Sequence, residues 1–284
     1  MTQQYDLTDF RTLQHLLQQF CIRPDKKLSQ NFLLEPDVLE EMIAASQLTK
    51  NDNVIEVGAG TGVLTQVLAA HAGKVVAVEI DDHLLPLLRE VTKSLSNVTL
   101  VHADVMRTPI AALRSHFSSA TAPYKVVANL PYHLTSHFLQ RFLDTPDAPR
   151  SLTVLVQREV AERVAAEPGD MSLLALSVQM FGTPMVCAVV PAEAFWPAPK
   201  VESAILHVER HPKPLFDAET RSAIFHLAKM GFAGRRKTLG NALSAGLRKS
   251  RPEIVENIVA LGLKPTVRAQ ELTLEQWRGL AGLV

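Results

Sequence analysis

Between residues 53 and 156 the chain alternates short apolar runs with stretches whose apolar positions recur every three or four residues. The short runs predict strands at Asn53–Val57, Val75–Glu79, Val98–Val101, Lys125–Ala128 and Leu152–Val156. The periodic stretches predict helices near 62–72, 82–94, 109–118, 134–143 and 158–166. Such alternation predicts a parallel sheet covered by helices on both faces. Ligands of such sheets lie beyond the carboxyl ends of the strands. Upstream, Phe10, Leu13, Leu16, Leu17 and Phe20 share one helical face. A basic turn, Arg23-Pro24-Asp25-Lys26-Lys27, comes next, and Pro36 suits the first turn of another helix. Residues 184–209 predict two more strands, as an antiparallel hairpin at the sheet edge. His211-Pro212-Lys213-Pro214 then punctuates the chain, and the pattern is helical to the end. The expected organisation is thus an α/β domain over 1–210 and a small all-helical domain over 211–284.

Composition narrows the class. A length of 284 residues suits one large domain and one small one, and 47% hydrophobic residues argue for a packed globular chain. Two cysteines, Cys21 and Cys187, exclude a cysteine-rich zinc site. The first twenty residues lack the apolar core of a secretory signal, and no apolar run is long enough to span a bilayer. A cytoplasmic protein without a membrane partner or a metal is expected. Net charge is zero, which taken alone argues against a generic nucleic-acid binder. The zero is a cancellation: residues 1–199 carry 15 Lys/Arg against 21 Asp/Glu, and residues 200–284 carry 14 against 8. A basic tail of this kind hints at a nucleic-acid-facing segment.

The first strand runs into Gly58-Ala59-Gly60-Thr61-Gly62. Glycines at such a turn let backbone approach a ligand closely. A dinucleotide fingerprint would need a third glycine where Val63 stands. The G-x-G-x-G spacing, with Glu56 just upstream, favours S-adenosylmethionine over NAD. Glu79 ends the next strand and suits a ribose diol, a device shared by both cofactors. Asp104 comes after the third strand and suits the exocyclic amine of the cofactor's adenine.

Asn129-Leu130-Pro131-Tyr132 comes after the fourth strand. An adenine N6 amine is a weak nucleophile, because its lone pair is delocalised into the ring. The Asn129 side-chain oxygen and the Leu130 carbonyl are two acceptors for its hydrogens as the nitrogen becomes tetrahedral, with Pro131 stiffening the turn. Tyr132 offers a ring for a flipped base. A sulfonium methyl is already activated, so this chemistry requires neither a metal nor a strong base.

Six segments stand in order: Gln30-Asn31-Phe32-Leu33, Glu56 to Gly62, Asn129 to Tyr132, Gln157-Arg158-Glu159-Val160, Phe195 to Ala204, and Arg235-Arg236-Lys237-Thr238-Leu239-Gly240-Asn241. The set resembles the ribosomal RNA adenine dimethyltransferases, most closely the bacterial small-subunit type, over about residues 23–250. The resemblance implies a Rossmann-like class I methyltransferase fold with a mostly parallel seven-stranded sheet. It implies S-adenosylmethionine-dependent N6,N6-dimethylation of two adjacent adenosines in a hairpin loop near the 3′ end of 16S rRNA. The partner would be an immature small ribosomal subunit, met by a monomer. It implies cofactor contacts at Asn31, Leu33, Gly58, Gly60, Glu79, Asp104 and Asn129, and closure of Phe195 on the base opposite Tyr132. Leu28-Ser29 replaces the usual Phe-Gly, and Asp170-Met171 replaces the usual Tyr-Gly, so local geometry is expected to differ at both places.

In the tail, Arg235, Arg236 and Lys237 precede a helix for which Thr238 is the expected N-cap. Cations there oppose the helix dipole, so contact with RNA phosphate accounts for them better than a structural role. Four alternatives remain open: a large-subunit adenine methyltransferase of the resistance type, a DNA N6-adenine methylase, a ribosome-assembly factor with the same fold, and an NAD oxidoreductase. Leu130 disfavours the DNA enzyme, which usually has proline there, and Val63 disfavours the oxidoreductase.

Overall fold

The structure is a computed structural model and describes residues 5–25, 28, 30–234 and 236–284. Of the positions named from the sequence, Lys26, Lys27, Ser29 and Arg235 lie outside the described residues. In chain order the elements are α1 (Phe10–Gln19), β1 (Phe32–Leu33), α2 (Pro36–Ser46), β2 (Asn53–Val57), α3 (Val63–His71), β3 (Lys74–Glu79), α4 (Leu85–Thr92) and β4 (Val98–His102). They continue with α5 (Ile110–Arg114), β5 (Tyr124–Asn129), α6 (Thr135–Leu143), β6 (Ser151–Gln157), α7 (Arg158–Val164), α8 (Leu173–Gln179), β7 (Gly182–Val190), β8 (Phe195–Trp196) and β9 (Ser203–Arg210). Four helices close the chain: α9 (Ala218–Phe232), α10 (Leu239–Leu247), α11 (Arg251–Ala260) and α12 (Leu274–Leu280).

Two compact units result, Met1–Ala161 with Met185–Arg210, and Glu162–Pro184 with His211–Val284. The sequence pattern draws one boundary, near 211, and keeps 162–184 with the first domain. That segment instead folds with the tail. The Gly169 and Met171 N–H groups donate to the Gln270 carbonyl, and those of His211 and Leu215 donate to Phe181 and Met180. Pairings that distant in sequence leave no local signature, and α8 is likewise absent from the predicted elements.

In the first unit a seven-stranded sheet has the order β4-β3-β2-β5-β6-β9-β7. β2–β3, β2–β5, β3–β4 and β5–β6 pair in parallel, and β6–β9 in antiparallel. The buried parallel strands are nearly continuous Val, Ile, Leu and Ala, as two covered faces require. The predicted edge hairpin is corrected in one respect. β9 is buried along Ser203–Val208 and lies inside the sheet, and β7, whose exposure alternates, forms the edge. β1 and β8, too short to be seen in the sequence, form a separate two-stranded ladder with Phe32 opposite Trp196 and Leu33 opposite Phe195.

Register brings the strand ends level. Val57 lies level with Val78 and Ala128, Glu79 with His102, and Asn129 with Leu155. The carboxyl ends of β2, β3, β4 and β5 therefore open on one side of the sheet. The chain winds outward in both directions from the β2–β5 pair, which makes this the topological switch point where such sheets hold ligands.

In the second unit, Ile224, Leu227, Leu239, Leu243, Ile254, Ile258 and Trp277 form the buried core. Asp217, Ser250 and Thr273 cap their helices by accepting from the N–H groups of Thr220, Glu253 and Gln276. Thr238 occupies the N-cap position of α10 as predicted, yet its hydroxyl makes no capping bond. No helix among the described residues is long and apolar enough to cross a membrane.

Gly62, at the N-cap of α3, has φ +90°, and a Cβ there would fall 2.8 Å from Val91 Cγ2 and 3.2 Å from Leu88 Cδ2. Gly62→Ala combines left-handed strain with overpacking and is expected to cost about 2 kcal/mol. Gly282→Ala, with nothing within 4 Å, should be near neutral. Urea unfolding of both variants checks this; equal midpoints would contradict the packing argument.

Candidate functional site

A cavity of about 380 Å³ opens at the aligned strand ends. Its wall brings together Asn31, Gly58, Gly60, Glu79, Asp104, Asn129, Leu130 and Tyr132, eight positions singled out from the sequence. Phe32, Ile80, Leu84 and Met106 supply apolar surface beside them.

The loop after β2 is shaped by three left-handed glycines, with φ of +72° at Gly58, +60° at Gly60 and +90° at Gly62. The Gly58 and Ala59 N–H groups donate to the Val78 carbonyl, folding the loop back over the end of β3. A Cβ on Gly58 would lie 3.3 Å from the Asn129 carbonyl oxygen. The loop thus passes the end of β5 at a distance that suits glycine.

Two carboxyl groups flank this loop in different surroundings. Glu56 is fully buried; burial, with the nearby Glu79 charge, pushes its pKa up to about 8. Its Oε2 accepts from the Thr65 hydroxyl at 2.6 Å, while Oε1 has no partner among the described residues. Glu56 is therefore a neutral acid at pH 7, a bridge between β2 and α3 and not a charge in the cavity. Glu79 is also pushed upward by burial, but backbone donors oppose that shift. Its Oε1 accepts from the Ile80 and Asp81 N–H groups, both at 2.9 Å, and its Oε2 accepts from Gly60 N–H at 2.7 Å. Of about four acceptor directions on a carboxylate, roughly one is left for a ligand. A hold on both ribose hydroxyls, as the sequence suggests, requires Gly60 N–H to release Oε2.

The third acid, Asp104, accepts from Met106 N–H at 2.8 Å and pairs with the exposed Arg107 guanidinium at 3.3 Å. Gln30 reaches across to Asp81 at 2.7 Å, which ties the segment before β1 to the end of β3. The Asn129 amide donates to the Asn31 carbonyl at 3.3 Å. That bond turns the Oδ1 of Asn129 into an acceptor with no partner among the described residues. Leu130 is buried, with its N–H held by the Leu155 carbonyl. Tyr132 sits beyond it in a single 3₁₀ turn, and its hydroxyl meets the Ser203 hydroxyl at 2.8 Å. Burial raises its pKa, and the ring stays neutral at any working pH.

Two predicted positions lie elsewhere. Leu33 and Phe195 are opposite one another in the β1–β8 ladder, buried in the hydrophobic core. Neither is part of the cavity wall, so the aromatic sandwich of Tyr132 and Phe195 is not formed here. The ladder turns Phe195 inward, where it fills the core.

The helical unit has its own cavity, of about 490 Å³, where Arg163, Lys237 and Arg268 line one space with Asp170. Arg236 is exposed beside Lys237. Arg163 and Arg268 carry no sequence signal because they are isolated cations; only the fold gathers them with Lys237. Met171 of the departing Asp170-Met171 pair is anchored through its N–H to the Gln270 carbonyl, and Leu28 lines the first cavity.

A glycine cradle, an anchored acid at the end of β3, a second acid after β4 and an apolar floor fit a nucleoside-bearing cofactor such as S-adenosylmethionine. Comparison with known proteins agrees. The profile of the family described as Ribosomal RNA adenine dimethylase matches residues 23–281. The chain is 41% identical over 265 residues to the ribosomal RNA small subunit methyltransferase A of Dehalococcoides mccartyi, covering 93% of this chain and 90% of that protein. The crystal structure of a dimethyladenosine transferase from Plasmodium falciparum superposes with a TM-score of 0.74 at 22% identity, over 88% of this chain and 95% of that one. That of the 23S rRNA methyltransferase ErmE gives 0.71 at 26% identity, over 89% and 99%. The fold is that of the Rossmann-like class I methyltransferases, with a helical C-terminal part.

Glu56 gives a pH test. The folded chain keeps its proton up to about pH 8, whereas an unfolded glutamate releases it near 4.5. The folded state binds the extra proton in that interval, so stability falls as pH rises through it. Glu56→Gln removes the titration while keeping an acceptor for Thr65. It is expected to stabilise by on the order of a few kcal/mol above about pH 8 and by little below about pH 4.5. Denaturant titrations of wild type and variant across this range measure the difference; a gap that does not change with pH contradicts the assignment.

Proposed function

The chain belongs to the ribosomal RNA adenine dimethylase family, and on that premise we propose that it methylates two adjacent adenosines in a hairpin loop near the 3′ end of 16S rRNA. It is an S-adenosylmethionine-dependent ribosomal RNA adenine dimethyltransferase. We propose that it acts as a monomer in the cytoplasm, on an immature small subunit. The observation that carries the reading is Asn129: its amide donates to the Asn31 carbonyl, and its Oδ1, in the same cavity as Glu79, Asp104 and Tyr132, has no partner among the described residues.

S-adenosylmethionine supplies an electrophilic methyl on a sulfonium. The residues do the rest. Glu79 accepts from the ribose and Asp104 from the cofactor's adenine amine. Gly58 and Gly60 let the loop lie against the cofactor. Asn31 holds Asn129, so that its Oδ1, with the Leu130 carbonyl, accepts from the hydrogens of the target N6. This raises electron density on nitrogen as it becomes tetrahedral. Tyr132 stacks on the flipped base. The stacking surface is assigned to Tyr132 alone, because Phe195 is committed to the core. Leu33 supports the site from behind, through the β1–β8 ladder.

In the helical unit, Arg236 and Lys237, with Arg163 and Arg268, are assigned to RNA phosphates. Arg235 would extend this set. Across residues 200–284 the excess of cations is what lets a chain of zero net charge hold RNA.

Asn129→Ala should lower methyl transfer by roughly 10²–10³-fold with the fold intact, read by label transfer and circular dichroism; near-normal turnover contradicts the role. Arg236→Ala with Lys237→Ala should weaken RNA binding and flatten the log–log salt slope by about 1.5; an unchanged slope refutes phosphate contact. The function itself is tested by incubating the protein with labelled S-adenosylmethionine and unmethylated ribosomal subunits, then mapping the modified adenosines. Label on two adjacent small-subunit adenosines is expected. Label on one large-subunit adenosine would support the alternative, a large-subunit adenine methyltransferase like ErmE.

A further inference from the structure

The Ser203 hydroxyl lies 2.8 Å from the Tyr132 hydroxyl, across 71 positions of sequence. Ser203 is fully buried at the start of β9, whereas the Tyr132 ring faces the cavity. Tyr132 sits in a single 3₁₀ turn, and its own turn bonds only its backbone, the Thr135 hydroxyl donating to the Tyr132 carbonyl at 3.1 Å. That backbone hold does not fix the far end of the side chain. The phenol is fixed at its far end by a residue of a strand.

That strand is itself clasped at this point. Gln157, the last residue of β6, is in register with Ser203. The next residue, Arg158, donates its N–H to the Glu202 carbonyl at 3.1 Å, and its guanidinium pairs with the Glu202 carboxylate at 2.9 Å. Two segments prominent in the sequence, Gln157-Arg158-Glu159-Val160 and Val201-Glu202-Ser203-Ala204, meet here without touching the cavity. Their convergence gives them a shared purpose.

We propose that Ser203 is a positioning residue: its hydroxyl, held in place by the Arg158–Glu202 clasp, fixes the far end of the Tyr132 side chain and so the position of the ring on which the target adenine stacks. The inference rests on the adenine-methylating function proposed for the chain. A ring held in one position is preorganised for the base, so less order has to be created when the base arrives. A phenol released from Ser203 loses its fixed position.

The test is a double-mutant cycle on the RNA substrate. Ser203→Ala should lower kcat/KM for RNA by roughly fivefold to tenfold, the scale of one buried hydrogen bond, and leave S-adenosylmethionine affinity and the melting temperature near wild type. Tyr132→Phe should show a similar loss. In the Tyr132→Phe background, Ser203→Ala should add less than about twofold, since the bond is already gone. Ser203→Thr, which keeps the hydroxyl, should retain most of the activity. Independent, multiplying losses in the cycle would overturn the proposal, as would a Ser203→Ala enzyme with unchanged kcat/KM. If Ser203→Ala does not fold, Tyr132→Phe decides alone: a full-speed enzyme refutes the role of the bond. A wild type that methylates no adenosine would defeat the functional reading instead, and the two failures are distinct.

Discussion

The site exists because four parallel strands end level. Once β2 pairs with β3 and β5, and β3 with β4, in the observed register, the residues after each strand face one cavity. A slip of one residue in any pair would turn alternate side chains to the other face and displace one acid or the asparagine. The Val, Ile and Ala side chains of β2, β3 and β5 are buried and commit these strands to packing before any ligand is involved, whereas β4 at the sheet edge is only half-buried. The candidate groups Glu79 and Asn129 are accordingly terminal residues, whereas the middle of each of these strands is committed to packing.

The same architecture sorts the acids. Glu56, one position before the end of β2, is swallowed by the core and keeps its proton. Glu79, at the end of β3, receives three backbone N–H groups, which make a buried carboxylate tolerable. Asp104, in the loop after β4, is more open and pairs with Arg107. Distance from the strand end thus converts three similar side chains into a structural acid, an anchored acceptor and an exchangeable one.

Local pattern made most of this legible. The alternating runs located every strand of the parallel sheet, and the glycines located the loop, because both signals are encoded within a few residues. Glu79, Asp104 and Asn129 were readable for the same reason, each placed at or just past the end of a predicted strand. What stayed hidden depends on contacts made far along the chain. Phe195 reads as a closing ring, yet its two-residue ladder with Leu33 draws it into the core. Residues 162–184 fold with the tail through hydrogen bonds to Gln270 and across 180–215. Arg163 and Arg268 become neighbours of Lys237 only in three dimensions. Protonation of Glu56 is a consequence of its complete burial, which a strand pattern does not reveal at the residue beside a glycine loop.

The aligned strand ends and the Asn129–Tyr132 turn wall one cavity, which should close on S-adenosylmethionine as a unit. Hydrogen exchange with and without S-adenosylmethionine addresses it directly. Amides of the 58–62 loop, of Ile80 and Asp81, and of residues 129–134 should slow together on binding, with NAD producing no such change. Protection confined to other segments, or slowing of the glycine loop without the Asn129–Tyr132 turn, would contradict the account.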